Sequence, residues 1–233
     1  FRAWHRMLPD LSDETTTIAK LVQFPPFEEV PEPFRGRKLA VVEVFHLGTA
    51  EEGAEIIEPL RALSPEIDTM TMMPPNALPF VHMDPPEPIP GTSGHRQLLD
   101  VGEEIVDAAI ESAGADSGSP LIVFELRQLG GALRRPAAGA GATEGFDADL
   151  AMFAAGLAAE PAMTAAAEAQ VDRIMARFEF ADAGSAYLNF AEKPTDSERF
   201  YRPGTYQRLR EVKTAYDAGN VFRGNHEIPP LGE

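Results

Sequence analysis

The stretch "KLAVVEVFHLGTAEEGAEIIEPLRAL", residues 38–63, contains both kinds of element from which the chain is built. Its first ten residues are rich in β-branched and aromatic side chains and stop at Gly48, as a strand does. Thr49 then opens a helix. A cap hydroxyl with Glu52 three residues on forms a capping box, each side chain satisfying a backbone N–H of the first turn. Working outward, strand-like segments recur at 15–24, 67–73, 120–129, 149–159 and 185–192, mostly bounded by Pro, Gly or Asp. Helical segments fall between them. Residues 100–114 run from an Asp100 cap to a Gly114 stop, and 160–180 is Ala-rich with Pro161 in its first turn. Residues 204–220 put Tyr206, Leu209, Val212 and Tyr216 on one stripe before stopping at Gly219 and Asn220. Apolar and polar residues alternate within several strands, as in a sheet with one covered face. The expected fold class is α+β: a mostly antiparallel sheet of about six to seven strands, covered by helices on one face, with a C-terminal helix and extended tail. The 149–159 strand lacks alternation and is expected deeper in the structure.

Composition excludes several classes of partner. The 233 residues are 44% hydrophobic and 24% charged, as in a soluble globular protein. With 37 acids against 20 bases the net charge is −17, which repels phosphate backbones and anionic lipid, so neither nucleic acid nor membrane is expected as a partner. The longest apolar run, "LAMFAAGLAA" at 150–159, is half of what a bilayer crossing needs. The opening "FRAWHRMLPDL" does not read as a secretory signal, and there are no cysteines, so a cytoplasmic location is expected. That opening reads instead as a helix with Phe1, Trp4 and Leu8 on one face and no start signal before it. The chain is therefore expected to be a piece of a longer protein, cut in or near a helix.

Several motifs fail on spacing. Gly139, Gly141 and Gly145 do not make a G-x-G-x-x-G phosphate loop, and "GTSGH" at 91–95 has His95 where a nucleophile elbow needs its second Gly. The histidines, His5, His46, His82, His95 and His226, share no ligand spacing, and no metal site is expected. Met70, Met72 and Met73, with Met83 nearby, read as core gap-fillers rather than as a pocket lining. In "GSAYLNFAEK", residues 184–193, a strand would turn Ala186, Leu188 and Phe190 to one face and Tyr187 with Asn189 to the other. A phenol and an amide side by side in a strand are unusual, since Asn is depleted there.

These last segments resemble a known family. "AYLNFAEKPTD" followed by "FYRPGTYQRLREVKTAYDAGNVFRGNHEIPP" is similar to the C-terminal end of the berberine-bridge-enzyme-like FAD-linked oxidoreductases, of the vanillyl-alcohol-oxidase-type flavoproteins. The matching pieces are Tyr187-Leu188-Asn189, then Tyr206, Leu209 and Lys213, then Asp217, Asn220 and Phe222, and finally Asn225 with Ile228-Pro229. "FRGRKLAVVEVFHLG", "PEIDTMTMMPPNAL", "HMDPPEPIPG" and "FELRQLGGAL" likewise resemble segments of the family's substrate domain. The resemblance implies a substrate-binding α+β domain over 1–180 and a berberine-bridge-enzyme-like segment over 181–233 packed on it, without the family's N-terminal FAD-binding domain. It also implies a function: oxidation of an alcohol or amine carbon by hydride transfer to flavin N5. The partners would be a small-molecule substrate and the FAD-binding domain of the same protein.

Residue by residue, the resemblance makes Tyr187 and Asn189 catalytic, and Asn225 and Tyr187 contacts of the FAD. A free phenol titrates near 10, too high for an efficient base at neutral pH, so Tyr187 needs a nearby positive charge, a donor to its phenolate, or a second base. Many relatives carry a polar or acidic residue on the strand equivalent to 149–159, whereas here it is apolar from Leu150 to Ala159. Glu125 and Arg127 share a face and either contribute or form an exposed ion pair. The alternatives are a non-catalytic small-molecule-binding module and a subunit completed by a separate FAD-binding chain.

Overall fold

A computed structural model describes residues 1–82, 87–99 and 102–232. Helix α1 (Arg2–Met7) leads into β1 (Thr15–Gln23) and β2 (Lys38–His46), followed by α2 (Ala50–Arg61), β3 (Gly91–Leu98) and α3 (Glu103–Ala113). Then come β4 (Leu121–Gln128), β5 (Leu150–Leu157), α4 (Pro161–Arg177) and α5 (Pro203–Asp217). The strands form one five-stranded sheet in the order β2-β1-β4-β5-β3, every neighbouring pair antiparallel. The fold is α+β, with five strands where the sequence suggested six or seven. None of the described helices is long and apolar enough to cross a membrane.

One face of the sheet carries the core. Ala19, Leu21, Leu98, Phe124, Leu126, Leu150, Met152 and Ala154 point to it and pack against Trp4 of α1, Ile105 of α3, Val171 and Ile174 of α4, and Phe178. A six-residue helix such as α1 has no stability of its own. It is held because Trp4 is fully buried and its indole N–H donates to Thr17 Oγ1 at 2.8 Å, the hydroxyl in turn donating to Gln128 Oε1 at 3.1 Å. Helix α2 begins as its sequence dictates: Thr49 Oγ1 accepts from Glu52 N–H, and Glu52 Oε2 accepts from Thr49 N–H at 2.7 Å. Helix α4 lies close over β3 and β5 because Gly94 and Gly156 face it; an added Cβ would come 2.6 Å from Val171 Cγ1 or 2.7 Å from Ala167 Cβ.

Those glycines explain a strand that the sequence hides. "GTSGHRQL" pairs with β5 along its whole length, although its Gly and Ser read as a loop. Strand β5 lies between β4 and β3, inside the sheet as expected of an unbroken apolar run. Two expected strands are absent. Residues 67–73 have no ladder partner and run exposed beyond α2, with Met72 63% and Met73 42% accessible, so these methionines fill no core gap. Residues 185–192 are not a strand either: Tyr187 is extended, and Leu188–Phe190 forms a single 3-10 turn closed by Phe190 N–H donating to Tyr187 O at 2.9 Å. Leu188 is exposed rather than buried. α3 is capped by Gly102, and the expected Asp100 cap, like Met83, lies outside the described residues.

Candidate functional site

The second face of the sheet is where polar chemistry collects. Directly paired residues share a face in an antiparallel ladder, so the row Val41, Lys20, Glu125, Phe153, His95 crosses this side from β2 to β3. The next row reads Glu43, Ile18, Arg127, Ala151, Gln97. The half toward β2 is ionised and the half toward β3 is aromatic.

The turn bearing Tyr187 and Asn189 sits on the aromatic half. Phe190 packs on Phe153 of β5 with ring centroids 4.8 Å apart and on His95 of β3 at 6.5 Å, which seats the turn on the sheet without any strand pairing. Tyr187 meets Phe190 edge to face at 4.8 Å and Phe146 at 5.3 Å, so its ring is fixed from two sides. Asn189 Nδ2 then donates to Tyr187 Oη at 3.3 Å. The structure thus brings together the two residues that the sequence singled out, though through a turn and not across one face of a strand. Asn225 is exposed on the tail. Its neighbour His226 pins the tail to the turn, with Nε2 2.9 Å from Ala191 O and the ring 4.9 Å from that of Phe200. Ser197 Oγ adds a second tie by donating to Glu227 O at 2.5 Å.

Glu125 and Arg127 are not an exposed ion pair. Glu125 is only 4% accessible, and its Oε1 accepts from Arg127 Nε at 2.6 Å while the guanidinium lies 4.8 Å above the centre of the Phe190 ring. Burial of the carboxylate follows from its position between Lys20 and Phe153 in a central row of the sheet.

The sequence reading missed a second ionic group beside it. Lys20 and Glu43, each 8% accessible, join Nζ to Oε1 at 2.5 Å, and His82 Nδ1 lies 2.6 Å from Glu43 Oε2 and 3.1 Å from Lys20 Nζ. The available signal was a charge amid the apolar residues of each strand, which normally marks a solvent-facing position. At the opposite edge, burial keeps His95 titrating below the ordinary histidine range, with the positive charge of Arg199 and of His226 acting in the same direction. His95 therefore stays neutral at neutral pH. A cleft of about 180 Å³ opens beside it, lined by Ser93, Phe190, Lys193 and Arg199 among others.

The arrangement offers a polar, aromatic-rimmed wall with an oriented phenol, a donor to that phenol, and buried charge close by. Among the described residues it holds no glycine-rich phosphate cradle: the Gly139–Gly145 segment leads into β5 and not into a helix.

Comparison with known proteins bears on the C-terminal segment and on the fold. Residues 186–229 match the family model described as berberine and berberine like. No curated protein matches the chain in sequence. Among solved structures, BBE-like 1 of Physcomitrella patens superposes with a TM-score of 0.72 at 15% identity, over 98% of this chain and 50% of that one. The 6-hydroxy-D-nicotine oxidase of Arthrobacter nicotinovorans gives 0.71 at 18% identity, over 97% and 50%. A chitooligosaccharide oxidase gives 0.71 at 14%, over 98% and 51%. The chain spans about half the length of each. The resemblance read from the C-terminal motifs therefore stands: residues 186–229 match the berberine-like model, and the chain has the fold of about half of each of these proteins.

Proposed function

We propose that this chain is the substrate-side part of an FAD-dependent oxidoreductase that oxidises an alcohol or amine carbon. The observation that carries the reading is the hydrogen bond from Asn189 Nδ2 to Tyr187 Oη at 3.3 Å, on a turn seated against the polar face of the sheet. A tyrosine acting as base needs its phenolate stabilised, and an amide donor at the phenol oxygen provides that. Bound FAD would supply the hydride acceptor. As a phenolate held by the Asn189 amide donor, Tyr187 Oη takes the proton from the substrate hydroxyl or amine and becomes the neutral phenol, while the rings of Phe146 and Phe190 hold it in place. Asn225, the neighbour of the His226 that pins the tail beside the turn, would hold the cofactor through its amide. The FAD-binding domain of the same protein carries the diphosphate, and this chain by itself has no activity.

The test is Tyr187→Phe in the full-length flavoprotein, which removes one hydroxyl and keeps the ring contacts. Flavin reduction is expected to slow about 10²- to 10⁴-fold, the range of a lost acid–base group, with the fold intact by circular dichroism. An unchanged rate refutes the assignment. A second reading, a binding module that has lost its chemistry, draws on one observation: β5 presents Ala151, Phe153, Ala155 and Leu157 on this face, none of them a second base. A full-length protein that purifies without flavin would favour it.

A further inference from the structure

Arg127 is held as a fork with its tips unused. Its Nε donates to the buried Glu125 at 2.6 Å, and the face of its guanidinium rests 4.8 Å above the Phe190 ring. Those two contacts fix the direction of the group. Its two terminal amino groups make no hydrogen bond with any described residue, although the side chain is only 31% accessible. An ordinary surface arginine is free to wander; this one is tethered from behind, because releasing it would strand a buried carboxylate. Lys20, the cation in the neighbouring strand, is already committed to Glu43 at 2.5 Å. Arg127 is thus a pre-oriented pair of N–H donors within the candidate site, with the geometry that a carboxylate accepts in two parallel bonds.

Its position relative to Tyr187 gives the fork a meaning. Both groups touch the same phenyl ring, Tyr187 edge to face at 4.8 Å and Arg127 across the ring face at 4.8 Å. A ligand lying along Phe190 can reach the phenol with one end and the fork with the other. We propose that Arg127 binds a carboxylate of the substrate, so that the molecule oxidised is an alcohol or amine that also carries a carboxylate group. This deepens the oxidoreductase reading and rests on it. The carbonyl edge of a bound flavin offers the same planar pair of acceptors, and the experiment separates the two sources.

The probes are benzoate and its neutral isostere benzamide, titrated into the full-length protein by calorimetry, with flavin content and absorption spectrum recorded on the same samples. Wild type is expected to bind benzoate at least 10-fold more tightly than benzamide. Arg127→Gln should weaken benzoate about 10- to 100-fold, in line with loss of a bidentate charged pair, and leave benzamide unchanged. Arg127→Lys keeps the charge beside Glu125 and folds, yet loses the fork, so benzoate should still weaken about 10-fold. Equal binding of the two probes, or benzoate affinity indifferent to both variants, overturns the proposal. A shifted flavin spectrum in Arg127→Gln with benzoate binding unaltered also overturns it, assigning the fork to the flavin edge. Protein that contains no flavin but still binds benzoate through Arg127 defeats the oxidoreductase reading and leaves the carboxylate site standing.

Discussion

Lys20, Glu43 and His82 show how a single residue's surroundings decide its role. Two charges at 8% accessibility are expensive to desolvate and are tolerated only because each completes the other. Lys20→Met is therefore expected to destabilise the fold by about 3–5 kcal/mol in urea unfolding, since it leaves Glu43 buried and unpaired. Lys20→Met combined with Glu43→Leu should recover most of that loss, and a double variant as unstable as the single one would contradict this account. His95 makes a prediction about pH. Its folded value lies below its unfolded one, so the folded state favours the neutral ring. The associated stability is present above about pH 6.5 and is lost as pH falls through the lowered value. Thermal melts of the wild type should decline on that acid side more steeply than those of His95→Gln. Tyr187 and Asn189 were legible in the sequence because a motif carried them. Lys20 and Glu43 were not, because a lone charge in a strand reads the same whether it faces water or a buried partner.

At the scale of elements, the strands declared by β-branched and aromatic residues formed where expected, and the exceptions follow from what those residues touch. Strand β3 was hidden by the glycine that lets α4 approach the sheet. Substituting a neighbour of the same kind tests this: Gly156→Ala places a Cβ 2.7 Å from Ala167 Cβ and is expected to cost about 1–3 kcal/mol of overpacking, read by chemical denaturation. Residues 67–73 have strand-like composition but no adjoining edge, and composition without a partner makes no ladder. The 185–192 segment alternates because its aromatics clamp onto the sheet from outside, through Phe190 on Phe153, which period alone cannot distinguish from a strand. The capping box of α2 was fully legible because its four atoms lie within four residues. Thr49→Ala should lower stability by about 1 kcal/mol.

For the whole molecule, the polar face with its tethered arginine and oriented tyrosine has no glycine-rich diphosphate cradle among the described residues, and the chain spans about half the length of the proteins it superposes on. Isolated, it is expected to show no stoichiometric FAD binding in a fluorescence titration, and tight binding would mean that this half holds the cofactor unaided. The ties from the tail carry one more consequence. His226 holds the carbonyl of Ala191, so the turn that orients Tyr187 is fastened by a residue 35 positions after its end. A chain halted at the end of α5 would have every strand of the sheet but lack the tie that fastens this turn. During biosynthesis, the sheet is therefore made well before the Tyr187 turn can be fastened.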